Sequence, residues 1–287
     1  MMYLEKMKKF RIGKNSKIIA DHIDIHPSVK IGKNVNIKCD TIKLGEFCII
    51  GDNVTIECRS FEVDSWLFLW HGVEIGRGGC SSPNSNVKIG KGVGIFENTV
   101  INPSESVEIG DNCGIGADVM MWTHGAWLDI TQGFPADFGP IKIGDNVWLP
   151  ARSVVLPNVT IGNDVVIGIN SIVNRSLPSG CLAAGSPCKV LKENVYPKKL
   201  SEDAIKVMVE GILSDWKIQC DMKKITRTIK VRYENQKIYL YQSNFETIYN
   251  IDERTITGHI NNVSEDLRDY LRRRGIKIYT DRFFKSI

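Results

Sequence analysis

Ile109-Gly110-Asp111-Asn112, Ile143-Gly144-Asp145-Asn146 and Ile161-Gly162-Asn163-Asp164 are the segments whose reading decides the fold. The same apolar-Gly step recurs at Ile12-Gly13, Ile31-Gly32, Leu44-Gly45, Ile50-Gly51, Ile75-Gly76, Ile89-Gly90 and Ile167-Gly168. Hexapeptide repeats of this kind mark a parallel β-helix, in which short flat strands coil and stack. The aliphatic residue points inward onto its equivalent one coil away. The Gly, Asp and Asn that follow suit corners with left-handed backbone, which β-branched residues resist. Three hexapeptides make one triangular coil of about eighteen residues.

Spacing therefore shows where chain leaves the helix. Gly13 to Gly32 is 19 residues, Gly32 to Gly51 is 19, Gly90 to Gly110 is 20 and Gly144 to Gly162 is 18, each a single coil. Gly51 to Gly76 is 25, which predicts a bulge around Trp66-Leu67-Phe68-Leu69-Trp70. Gly110 to Gly144 is 34, one coil plus a long excursion at about Thr123 to Pro140. Breaks in a solenoid are where binding loops sit.

The 287 residues suit one large or two ordinary domains, and 43% apolar with 24% charged content is ordinary for a globular chain. A net charge of +4 gives no case for nucleic acid. The longest apolar runs, such as Trp66 to Trp70, are far too short to span a membrane. Met1 to Phe10 is basic but lacks the apolar stretch of a signal peptide. The eight cysteines include no CxxC pair, and those inside coils serve as small apolar filler. Together these features predict reduced thiols and a cytoplasmic protein.

Regularity ends in the Pro- and Gly-containing segment Ser176 to Lys192, and a basic link at Tyr196-Pro197-Lys198-Lys199 follows. The predicted division is a mainly β unit, residues 1–197, and an α+β unit, residues 198–287. Ser201-Glu202-Asp203 opens a helix to about Trp216 with Ile205, Met208, Val209, Ile212 and Leu213 on its apolar stripe. A hairpin of Thr226 to Tyr233 and Lys237 to Tyr241 comes next. Strands near Thr247 to Ile251 and Thr255 to Ile260, a helix from Ser264 to about Arg274 and a last strand at Ile276 to Thr280 complete the expectation. Arg272-Arg273-Arg274 reads either as an anion patch or as cations complementing the helix dipole.

Of five histidines, only His124 stands where a coil gives way to the long excursion. A neutral imidazole there suits general-base chemistry near neutral pH, whereas a loop-bonding histidine is the structural alternative. Thr123-His124 is followed by Pro140-Ile141-Lys142-Ile143-Gly144-Asp145-Asn146-Val147-Trp148-Leu149-Pro150, then Val165 to Val173, then Ala184-Gly185-Ser186-Pro187-Cys188-Lys189-Val190. This ordered series, over about residues 85 to 193, resembles the hexapeptide-repeat acetyltransferases, most closely the galactoside and maltose O-acetyltransferases. The resemblance implies a left-handed parallel β-helix, a homotrimer with sites in the clefts between subunits, and acetyl-CoA as acyl donor with no metal. His124 matches the family's catalytic histidine. The Ala151 amide matches the donor to the oxyanion, because Pro150 has no N–H.

Within the same resemblance, Asn98 matches an acceptor-positioning residue, or else is a stacked turn asparagine; Glu97 beside it would assist. Trp148 matches an aromatic at the cofactor cleft, and plain packing is its alternative. Ile169 and Asn170 match backbone along the pantetheine arm, and Lys189 and Lys192 match basic residues near the nucleotide phosphates. Trp127, Phe134 and Phe138 make the excursion aromatic, as a sugar-binding loop or as a pin to a neighbouring subunit. The chain departs from the family pattern in having Gly125 after the histidine and the bulky Ile169 near the thiol end. The expected activity is O-acetylation of a sugar or glycan hydroxyl. N-acetylation of a nucleotide-linked amino sugar and a non-catalytic β-helix scaffold are the two alternatives. A zinc site of three histidines has no support in the spacing of His22, His26, His71 and His124.

Overall fold

The computed structural model describes residues 10–225 and 229–287. The chain divides into two compact units, Met1–Lys198 and Lys199–Ile287.

The first unit is mainly β, a parallel β-helix whose three faces are sheets of ten, eight and seven strands among the described residues. Most strands are two to four residues long because a corner follows each hexapeptide. Along the first face Ile31, Ile50, Leu69, Ile95, Ile115 and Leu149 stand in register, one above the next. The second face stacks Ile37, Ile56, Ile75, Ile101, Met121, Val155 and Val173. The third aligns Leu44, Val63, Ile89, Ile109, Ile143 and Ile161. All these side chains are buried in one continuous core. At about 1.5–3 kcal/mol for each fully buried aliphatic side chain, the columns supply the driving force for coiling.

The corners explain the Asn and Asp content. Asn112, Asn146 and Asp164 hold φ near 56–57°. The Asn112 amide donates to the Asn146 side-chain oxygen at 2.8 Å, and the Asn146 amide to Asp164 Oδ1 at 2.9 Å. These short side chains tolerate the left-handed backbone and link coil to coil. The cysteines expected as filler at 39, 48 and 58 are indeed buried in the core.

The bulge expected at Trp66 to Trp70 is absent, and the extra chain lies later. Trp66 takes a corner with φ 59°, is buried, and stacks on Phe47 at 4.7 Å. Leu67 and Leu69 continue the core, and Leu69 pairs with Ile50 only 19 residues back. The 25-residue interval misled because Gly51 ends a first-face strand whereas Gly76 ends a second-face strand. The insertion is residues 77–85, between strands Glu74–Ile75 and Asn86–Ile89. The second excursion sits where the spacing placed it. It is a short hairpin in which His124–Gly125 pairs antiparallel with Asp137–Phe138, closed by a 3-10 turn at Ile130–Gln132.

The second unit is α+β. Helix α1, Glu202–Met222, is capped by Ser201 and runs six residues past the expected Trp216. The extension is held by Trp216 and Cys220, both buried with Val209 and Leu213, while Met208 of the predicted stripe stays half-exposed. Strands Ile229–Glu234, Lys237–Gln242, Phe245–Asn250 and Thr255–Gly258 form one antiparallel sheet. Residues 226–228 of the expected hairpin lie outside the described residues, as do residues 1–9 of the basic N-terminus. Helix α2, Asn262–Arg273, carries a capping box at Asn261. The strand expected at Ile276 to Thr280 does not form. Its backbone is taken instead by the fully buried Arg268, which donates to the carbonyls of Ile278, Arg282 and Phe283. Arg272 and Arg273 pair with Asp269, so the last-turn cations are engaged within their own helix.

Candidate functional site

His124 follows the second-face strand Met120–Trp122, at the corner where the hairpin leaves the helix. The strand one coil before it, Val100–Asn102, ends in Asn102, which is completely buried. The Asn102 Nδ2 group donates to the carbonyls of Gly76, Arg77 and Gly78 at 2.9–3.1 Å. Its Oδ1 accepts from the Ser104 N–H at 3.2 Å and lies 2.9 Å from His124 Nδ1.

That orientation has a chemical consequence. With Nδ2 committed to three carbonyls, the Asn102 oxygen faces the imidazole and accepts, so His124 Nδ1 carries the proton. The lone pair of the neutral ring is left on Nε2. Ser104 Oγ, 3.0 Å from Nδ1, donates onward to the Gly78 carbonyl at 3.3 Å and fits the same arrangement. Thr123 Oγ1 donates to the Asn102 carbonyl at 2.8 Å and fixes the preceding residue. The ring lies against Phe138 at 5.6 Å and edge-on to Trp122 at 6.2 Å. It is half-buried and so reachable.

Asn102 and Ser104 escaped the sequence reading, whereas Phe138, singled out there as an aromatic of the excursion, stacks on His124 instead. Coil arithmetic held the signal for both, since Ser104 and Asn102 stand 20 and 22 residues before His124, about one coil.

The other candidates gather elsewhere. Trp148 projects from the first face, 59% exposed, next to Gly114 in the coil before. Ala151 is at the corner between the first and second faces. Among the described residues its amide N–H has no acceptor. Gly116, one coil earlier, keeps that surface open, because a Cβ there would come within 2.3 Å of the Ala151 nitrogen. Ile169 and Asn170 repeat the corner one coil later, where the Asn170 N–H donates to the Ala151 carbonyl at 3.1 Å. Lys189 and Lys192 lie at the end of the same face. Register runs from Trp148 through Val166 and Leu182 to Lys192. Both lysines are exposed, without an ion-pair partner among the described residues, and so are suited to an anionic ligand.

Glu97 and Asn98 are on Ala151's corner, two coils earlier, and not on that of His124. Asn98 has φ 56° and donates to Asp118 Oδ1 at 3.4 Å, a stacked turn residue in geometry. Trp127 is 96% exposed in the hairpin.

The candidates thus form two groups at opposite ends of the second face. At about 3.3 Å per residue, His124 and Ala151 of one copy lie on the order of 15–20 Å apart. Reacting atoms must approach to roughly 3–3.5 Å, so within this chain the His124 ring and the Ala151 N–H do not meet at one reacting carbon.

A family profile described as bacterial transferase hexapeptide (six repeats) matches residues 140–175. Galactoside O-acetyltransferase of Escherichia coli strain K12 is 37% identical over 114 residues, which is 39% of this chain and 56% of that protein. The match therefore spans little more than half of that relative's length. Among solved structures, a galactoside acetyltransferase in complex with coenzyme A is 27% identical with TM-score 0.37, covering 54% of this chain and 69% of that one. A polysialic acid O-acetyltransferase is 20% identical with TM-score 0.46, covering 67% and 92%.

Proposed function

For a chain that carries the bacterial transferase hexapeptide and is a sequence relative of the hexapeptide-repeat acetyltransferases, we propose acetyl-CoA-dependent O-acetylation of a sugar or glycan hydroxyl. The observation that carries this reading is the Asn102 clamp, which leaves His124 Nε2 as the open basic nitrogen at a half-buried corner.

In the proposed reaction His124 Nε2 takes the proton of the acceptor hydroxyl as its oxygen attacks the thioester carbonyl. The carbonyl oxygen becomes an oxyanion and accepts from the Ala151 N–H. Collapse breaks the carbon–sulfur bond, and the imidazolium returns its proton to the departing thiolate. The products are an O-acetyl sugar and coenzyme A. Trp148, Ile169, Asn170, Lys189 and Lys192 hold the donor along the first face and its corner. Because base and oxyanion donor sit on different edges, a homotrimer presents His124 of one copy beside Ala151 of the next.

The test couples binding to turnover. Coenzyme A raises the melting temperature by mass action, as RT ln(1 + [L]/Kd) requires. Acetyl-CoA with hydroxylated sugars then releases free thiol, and amino-sugar nucleotides release it more slowly. Thiol release with amine acceptors only would replace O-transfer by N-transfer. An unmoved melting temperature at millimolar coenzyme A would favour a scaffold.

A further inference from the structure

Beside the donor face lies a row of exposed aromatics that the reaction above does not use. Trp70 is 39% exposed and Phe96 44%, with ring centroids 6.5 Å apart and planes inclined by 41°. They occupy equivalent positions in successive coils, following the paired Leu69 and Ile95. The outward register position is Phe68 beside Trp70, but in the next two coils it is glycine, Gly94 beside Phe96 and then Gly114, followed by Trp148. A Cβ on Gly94 would sit 3.3 Å from Phe96 Cε2, so the missing side chain lets the ring lie down over the backbone. The outcome is a low aromatic shelf and not a set of protruding side chains.

Polar groups border the shelf in the adjoining corner. His71 Nδ1 accepts from the Asp52 N–H at 3.0 Å, which leaves Nε2–H as an outward donor of the neutral ring. The half-buried Glu97 carboxylate accepts from no partner among the described residues. Glu97 belongs to Ala151's corner, two coils away, or about 10 Å at the inter-strand spacing. One pyranose ring fits that interval.

We propose that Trp70 and Phe96, with Glu97 and His71 at the rim, form an acceptor subsite for a neutral pyranose ring of a glycan, next to the residue that is acetylated. The inference rests on the acetyltransferase reading and adds the class of acceptor. Aromatic faces meet the apolar C–H face of a pyranose, while Glu97 accepts from ring hydroxyls and His71 donates to them. A free carboxylate at the rim disfavours uronic or sialic acid rings by like-charge repulsion. The polar rim beside the rings, with the Glu97 carboxylate, unpartnered among the described residues, as acceptor and His71 Nε2–H as donor, selects a hydroxyl-rich sugar over a second copy of the chain as the occupant.

Saturation-transfer NMR tests this without turnover. The probes are maltotriose, cellotriose and mannotriose as neutral chains and trigalacturonic acid as the charged one. At least one neutral trisaccharide is expected to receive saturation at its ring C–H protons, and the charged one not to. Phe96→Ala is expected to weaken the bound trisaccharide at least tenfold. Glu97→Gln, which keeps the shelf, is expected to narrow the gap between neutral and charged probes. Transfer to none of the neutral probes, unchanged binding in Phe96→Ala, or preference for the acid would each overturn the subsite. So would dissociation of Phe96→Ala into smaller species on size exclusion, which would assign the shelf to subunit contact. Failure of the acetyltransferase reading is seen separately, as loss of the coenzyme A melting shift in the unaltered protein.

Discussion

His124→Ala is expected to lower kcat by roughly 10²–10⁴-fold, the usual contribution of a positioned general base. Coenzyme A affinity, read from the melting shift, should change little, because the donor-side candidates lie on another edge. A fall in kcat and kcat/KM together is the pattern of an interaction made only in the transition state. Asn102→Ala is expected to lie between the unaltered enzyme and His124→Ala. It removes the acceptor that fixes the Nδ1 proton and leaves the carbonyls of Gly76, Arg77 and Gly78 without their donor. Full activity in His124→Ala would remove the imidazole from the reaction.

Ala151→Pro is expected to cost about 10²–10³-fold in kcat, the range seen for loss of one oxyanion donor. Proline deletes the N–H while adding little bulk, and no acceptor among the described residues is deprived of a bond. The larger expectation concerns mixing. In a cyclic trimer that contains both variants, at least one cleft joins an intact His124 from an Ala151→Pro subunit to an intact Ala151 from a His124→Ala subunit. Co-refolded variants should regain about a quarter of full activity from two nearly inactive parents, one intact cleft in about three within mixed trimers. Mixtures as inactive as their parents would rule out a cleft shared by His124 of one subunit and Ala151 of the next. A normal rate for Ala151→Pro alone would show that its amide stabilises no charge.

Much of the fold was legible because a β-helix converts linear spacing into stacking. Ile109 to Ile143 and Ile143 to Ile161 are in register as their Gly steps predict. The long excursion was legible too, since Gly110 and Gly144 mark the same corner and differ by more than one coil. The bulge assigned to Trp66–Trp70 failed because two apolar-Gly steps from different faces were compared. Glycine identifies a corner but not which of the three. The strand expected at Ile276 to Thr280 failed because Arg268 takes the Ile278 carbonyl, and a helix 10 residues upstream in sequence gives no local sign of that contact.

By itself the sequence determined the solenoid and the prominence of His124. An apolar residue at every coil has one way to leave water, and a lone histidine at the edge of a coil break stands out from the pattern. Tertiary structure decided which residues meet. Asn102 faces His124 only because corners one coil apart come within hydrogen-bond reach, and only the three carbonyls of residues 76–78 determine which way its amide points. The separation of His124 from Ala151 is likewise a property of the triangular cross-section, since a face of fixed width lies between two corners that the chain joins by only a few residues.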